Sequence, residues 1–298
     1  MTNIHLIIDI ESSADLIEHA RYQKSERFCP QPGSIDSGRR GQRGQDDPLT
    51  TPRWPFQAVL AVSVMKCISG ENSELCPAEM LTFSRADLDE AQILTRLFQY
   101  IGSMPASDIE LVTFGGGNHD LPVLTCRAMA HGLQLPKALS WMAFGGTAKA
   151  PHLDLLRVLT GGFKLRQCHM AEFAAVLDLP SKFVASSWTV TRLANRGDWT
   201  KIEAIAEVDV ITTAMLFASW RALLTGGAVW SVHDQICRKV QELRPERPYL
   251  ETLQAMRRRL YDQQMRDAKA TLDVIGFPQT TQVNAPTASK QRSLCGIH

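Results

Sequence analysis

The stretch Ile4–Ile10 (IHLIIDI) is apolar, rich in β-branched residues, and meets two carboxylates, Asp9 and Glu11, at its end. A run of this length and composition predicts a buried β-strand. Strand residues two apart leave the same face, so the two carboxylates stand side by side. Such a pair repels and resists ionising unless a cation lies between its members. It reads either as ligands for Mg²⁺ or Mn²⁺ or as a solvated strand end.

Further strands are predicted over Phe56–Cys67 and Glu79–Ser84, which with the first suggest a meander. Between the first two, Ser25–Arg53 is rich in Gly, Pro, Ser and Arg and has no apolar period. It predicts a mobile basic loop carrying Arg39, Arg40, Arg43 and Arg53. Ser84–Gly102 predicts an amphipathic helix, with Ser84 as its cap and Asp87, Asp89 and Glu90 in its first turns. A strand over Asp108–Phe114 then runs through the Gly115–Gly117 turn into a helix from about Asp120 to His131. This order predicts an α/β fold, a mixed sheet covered by helices. Later segments read as helices: Met170–Leu179, Ser187–Asn195, Asp198–Leu224, Val229–Leu243 and Pro248–Val274.

Composition excludes several classes. Of 298 residues 44% are hydrophobic and 21% charged, which predicts a soluble globular chain with a substantial core. With 32 basic against 31 acidic residues there is no overall field to attract a polyanion, so any such binding must come from local patches. No apolar run approaches the roughly 20 residues of a membrane span. The N-terminus lacks a basic region ahead of its apolar run, so a cytoplasmic location is expected. Seven scattered cysteines form no C-x-x-C pair and read as reduced thiols. The glycine turn lacks the lysine and hydroxyl of a phosphate-binding P-loop, and no G-x-S-x-G elbow occurs.

Two more acids stand out. Asp120 follows a strand and a glycine turn, and either caps the next helix or faces a site at the strand end. Asp209 lies inside an apolar helical run, IAEVDVITT, near the inward face, where an unpaired charge is costly and calls for a cation or an arginine.

In this order, IIDIES, LVTFGGGNHDLPVLTCRA and GDWTKIEAIAEVDVITTAMLF resemble the three motifs of the ribonuclease-H-like 3′–5′ exonuclease superfamily with acids D, E, D and D. More closely, the chain resembles the predicted 3′–5′ exonuclease family related to the proofreading domain of family B DNA polymerases. The resemblance implies a ribonuclease-H-like mixed sheet flanked by helices over residues 1–225, leaving a helical C-terminal extension at 226–277 and a disordered tail at 278–298. It implies two divalent ions, Mg²⁺ or Mn²⁺, held by Asp9, Glu11, Asp120 and Asp209, and two-metal hydrolysis at 3′ ends of single-stranded or frayed DNA. An RNA substrate stays open. Asp154, in HLDLL, either supports the site or holds structure.

The chain also departs from the pattern. The family's tyrosine subtype places Tyr four residues before the last aspartate, where this chain has Ile205, and the histidine subtype's position is Ala204. The second motif's Asn is replaced by Gly115, and the aromatic before its aspartate by His119. Asn118 is the candidate substitute amide, and His119 either a substitute base or a structural group. Arg39, Arg40 and Arg43, and separately Arg257–Arg259 with Arg266 and Lys269, are either phosphate contacts or solvated faces. The departures leave a second reading, a degenerate fold that binds nucleic acid without cutting it.

Overall fold

In the computed structural model, residues 3–27, 51–69, 75–144, 151–166, 168–185, 189–226 and 229–275 are described. The chain forms β1 (Asn3–Ala14), β2 (Gln57–Ser69), β3 (Leu75–Ser84), β4 (Ile109–Thr113) and β5 (His152–Asp154). They build one sheet in the order β3-β2-β1-β4-β5. β1 to β3 form the antiparallel meander, while β4 pairs in parallel with β1 and β5 in parallel with β4. This mixed sheet, flanked by helices, is ribonuclease-H-like.

β1 is central. Leu6, Ile7 and Ile8 are at most 2% exposed, so both of its faces are covered, which explains a continuous apolar run in place of an alternating one. On one face Leu6, Ile8 and Ile10 join Val62 and Val64 against α2 (Glu90–Gly102) and α3 (Asp120–Ala130). The alternate residues face α7 (Trp199–Thr225), where His5 meets Phe217 edge-on. Asp9 and Glu11 therefore leave the α7 face. A register shift just after Glu11 leaves Leu60 of β2 unmatched, a bulge beside the second carboxylate.

The remaining helices are α1 (Leu16–Arg27), α4 (Leu155–Leu159), α5 (Met170–Val176), α6 (Val190–Arg196), α8 (Val229–Leu243) and α9 (Leu250–Ile275). The chain divides into two compact units, Met1–Arg258 and Arg259–His298. No described helix is long and apolar enough to cross a membrane.

Several boundaries differ from the sequence reading, among them the start of β3, which is Leu75 rather than Glu79. α2 begins at Glu90, capped by Asp89 in a box with Gln92, while Ser84 ends β3 and donates its hydroxyl to Glu203. The HLDLL stretch is β5 running straight into α4, too short to show a period. α1 continues to Arg27, so Ser25 to Arg27, expected in the loop, are helical. Arg39, Arg40 and Arg43 lie outside the described residues, as does the expected tail at 278–298.

A buried ionic network fixes α3 against the sheet. Glu90 accepts from Val59 N–H (2.6 Å), Arg127 Nη2 (2.6 Å) and His131 Nε2 (2.9 Å), and Arg127 also reaches Glu18. Both Glu90 and Arg127 are almost fully buried, so each needs the other.

Candidate metal centre

β1 delivers Asp9 and Glu11 to the sheet end at which α7 delivers Asp209. One carboxylate oxygen from each lies within 4.8 Å of the others, close enough to hold a metal ion. Asp120 is not in that trio, but it lines the same cavity of about 950 Å³. Asp9 is partly exposed, whereas Glu11, Asp120 and Asp209 are buried.

The glycine turn sets Asp120. A Cβ on Gly116 would fall 2.7 Å from Thr113 Cβ and 2.9 Å from Asp120 Oδ2, so only glycine lets the turn pass this close. Gly115 and Gly117 donate N–H bonds of 2.8 and 3.0 Å to Asp154, whose carboxylate also caps α4. Asp154 is thus a brace for the turn that presents Asp120. Asp120 is the first residue of α3 rather than its cap, and His119 Nδ1 bonds its Oδ1 at 3.1 Å.

The charges crowd one another. Burial, followed by repulsion from Asp209, Asp120 and Glu11, raises the pKa of Asp9 well above the usual carboxylate range. Burial and Asp209 do the same to Glu11. Asp120 and Asp209 are raised by burial too, although His119 opposes this at Asp120 and Lys182 at Asp209. His119 is raised in turn by its bond to Asp120. Burial works against the Lys182 ammonium, yet the neighbouring Asp209 overrides it, so Lys182 is held charged.

Lys182 is the feature that sequence reasoning missed. It donates to Asp209 Oδ2 from a loop, with φ at 53°, in the left-handed region that side chains rarely adopt. The expected partner of Asp209 was a cation or an arginine, and no period marks a lone loop lysine as that partner. Asp209 Oδ1 is buried with no hydrogen-bond partner among the described residues. His169 and Cys168 also line the cavity. Asn118 does not: it is exposed and lines a neighbouring cavity. Ile205 is 1% exposed and packs into an apolar cluster with Leu60, Ala61, Leu193 and Ile202. Arg257, from the second basic patch, is paired with Asp234 at 2.8 Å.

The ribonuclease-H-like sheet thus gathers carboxylates at one end of its central strand. The chain belongs to the family described as predicted 3′–5′ exonucleases related to the exonuclease domain of PolB, whose model matches residues 51–254. Asp9 and Glu11 lie ahead of the matched segment, and the sheet brings them back to it. Solved structures are similar at low identity. E. coli Exonuclease I in complex with a dT13 oligonucleotide is 10% identical with a TM-score of 0.40, over 74% of this chain and 41% of that one. The family B DNA polymerase of the hyperthermophilic archaeon Pyrobaculum calidifontis is 11% identical with a TM-score of 0.43, over 81% and 29%. The chain spans less than half the length of either. No curated protein matches it.

Proposed function

We propose that the protein is a metal-dependent 3′–5′ exonuclease that hydrolyses phosphodiester bonds at the 3′ ends of single-stranded or frayed DNA. The observation that carries this reading is the convergence of Asp9, Glu11 and Asp209 within 4.8 Å, with Asp120 on the same cavity. The donors are all carboxylate oxygens, the hard set that suits Mg²⁺ or Mn²⁺. Asp209 Oδ1, buried with no hydrogen-bond partner among the described residues, fits a bound cation, since a buried anionic oxygen left alone is costly.

Asp9, Glu11 and Asp209 would hold the ions, with Asp120 completing the set of four. Ions held there would supply the lowering of a water's pKa and the stabilisation of charge on the phosphate that such hydrolysis needs. In the hydrolysis, a water oxygen loses a proton and bonds to phosphorus, the bond from phosphorus to the leaving 3′ oxygen breaks, that oxygen takes up a proton from solvent, and a 5′-mononucleotide departs. The protein's own groups orient this chemistry. Gly115 to Gly117 present Asp120, and Lys182 offsets the charge of Asp209. His119 Nδ1 sits against Asp120 Oδ1, where the imidazole can exchange a proton with solvent.

The burial of Ile205 in an apolar cluster favours the second reading, a fold that binds without cutting, because no phenol reaches the acids from that position. Digestion of 5′-labelled single-stranded DNA and RNA with Mn²⁺ or Mg²⁺ separates the two. The exonuclease reading expects a ladder from the 3′ end that Asp9→Ala and Asp209→Ala abolish. Binding in a gel shift without any cleavage would give the second reading instead.

A further inference from the structure

A second cavity, of about 550 Å³, lies against the start of α3. Gly117, Asn118 and Leu121 line it, whereas His119 and Asp120 line the acid cavity, so one loop and one helical turn form a wall of both. Trp54 and Trp141 both face this space. Trp141 is fixed, stacked on His152 at 5.3 Å and bonded through Nε1–H to Ala138 O. Trp54 is 46% exposed and Met129, on the same cavity, 77%, an open apolar wall where such side chains are usually covered. Two exposed polar side chains, Asn118 and Arg157, add hydrogen-bonding groups.

The volume falls within the roughly 300–1,000 Å³ of small-ligand sites. Indole faces combined with amide and guanidinium edges match a nucleobase, which is flat, has π faces and carries donors and acceptors on its rim. A bare phosphate has no use for two indoles, and an aliphatic chain has none for Asn118 and Arg157. We propose that this cavity is a nucleobase subsite, taking a base of the strand whose phosphate lies at the acids. The proposal rests on the nuclease reading and adds to it a place where the strand is held by stacking rather than by charge.

Cysteine footprinting of the full chain tests it without any substitution. Cys126 lines this cavity, Cys168 lines the acid cavity, and Cys76 is exposed on β3 as an internal control. With Ca²⁺ in place of Mg²⁺, an oligothymidylate should protect Cys126 and Cys168 from a maleimide and leave Cys76 reactive. An abasic strand of equal length should protect Cys168 alone. In parallel, Trp54→Ala should weaken oligothymidylate binding by about 5- to 150-fold, the span for loss of one stacked base, while Trp54→Phe retains most of it. Protection of Cys168 with Cys126 as reactive as in the free protein would overturn the subsite and leave the nuclease reading standing. Equal protection of Cys126 by the abasic strand would overturn the role of the base. Protection of neither cysteine would overturn both readings.

Discussion

Asp9 is held in a folded state that resists its ionisation, through burial first and the other three acids second. A carboxyl whose folded pKa is raised contributes fully below its unfolded pKa, and that contribution is lost as pH rises through the folded value. At neutral pH without metal the charge therefore opposes folding. Asp9→Asn is predicted to raise the melting temperature of metal-free protein at pH 7. Its advantage over wild type should shrink as pH falls and Asp9 takes up a proton, which a series of melts from pH 7 to 4 reads directly. Asp9 and Glu11 were legible in the sequence because strand spacing is rigid: two apart means one face, whatever surrounds them. Lys182 was not, because its approach to Asp209 depends on how a loop folds back onto α7, and no period encodes that. Asn118 shows the converse: its place beside the motif acid suggested the acid cavity, yet it lines the neighbouring one, because the path of a glycine turn is not written in the residue types alone.

At the scale of elements, α7 presents its acid from the stretch Ala204–Ala218, which is buried throughout. Ile202 and Ile205, about two turns and one turn before Asp209, join the apolar cluster that includes Leu60 and Ala61 of β2. Ile205→Tyr must fit a ring and a hydroxyl where Ile205 is 1% exposed. The variant is predicted to lose about 1–3 kcal/mol of stability, the usual cost of overpacking, with no gain in nuclease rate. Denaturant melts and the digestion assay check the two halves separately, and a sharp gain in rate would show that the phenol reaches the site after all. The central strands and the long helices were readable because burial on both faces and helical periods leave strong marks. The start of α2 was not, since several acids and a serine precede it and only the bond from Gln92 N–H selects Asp89 as the cap. β5 was missed because three residues cannot show alternation.

For the whole molecule, the chain after α7 is tied to the helix that carries Asp209. Glu207, fully buried, accepts from Thr82 (2.7 Å), Arg247 (2.9 Å) and Tyr249 (2.7 Å), and so joins β3, α7 and the segment ahead of α9. Tyr249→Phe leaves one Glu207 oxygen without its hydroxyl donor and is predicted to cost about 1–3 kcal/mol, read as a lower denaturation midpoint. The four acids come from residues 9 to 209, and only the assembled sheet with α7 laid across it brings them to one cavity. The claim that this cavity is a divalent-metal centre is tested most directly by calorimetric titration of Mn²⁺ into metal-free wild type, Asp9→Asn and Asp209→Asn. Saturable binding to the wild type that weakens by at least about 10-fold in both folded variants is the predicted result. Binding that is absent from the wild type, or equal in all three proteins, would contradict it.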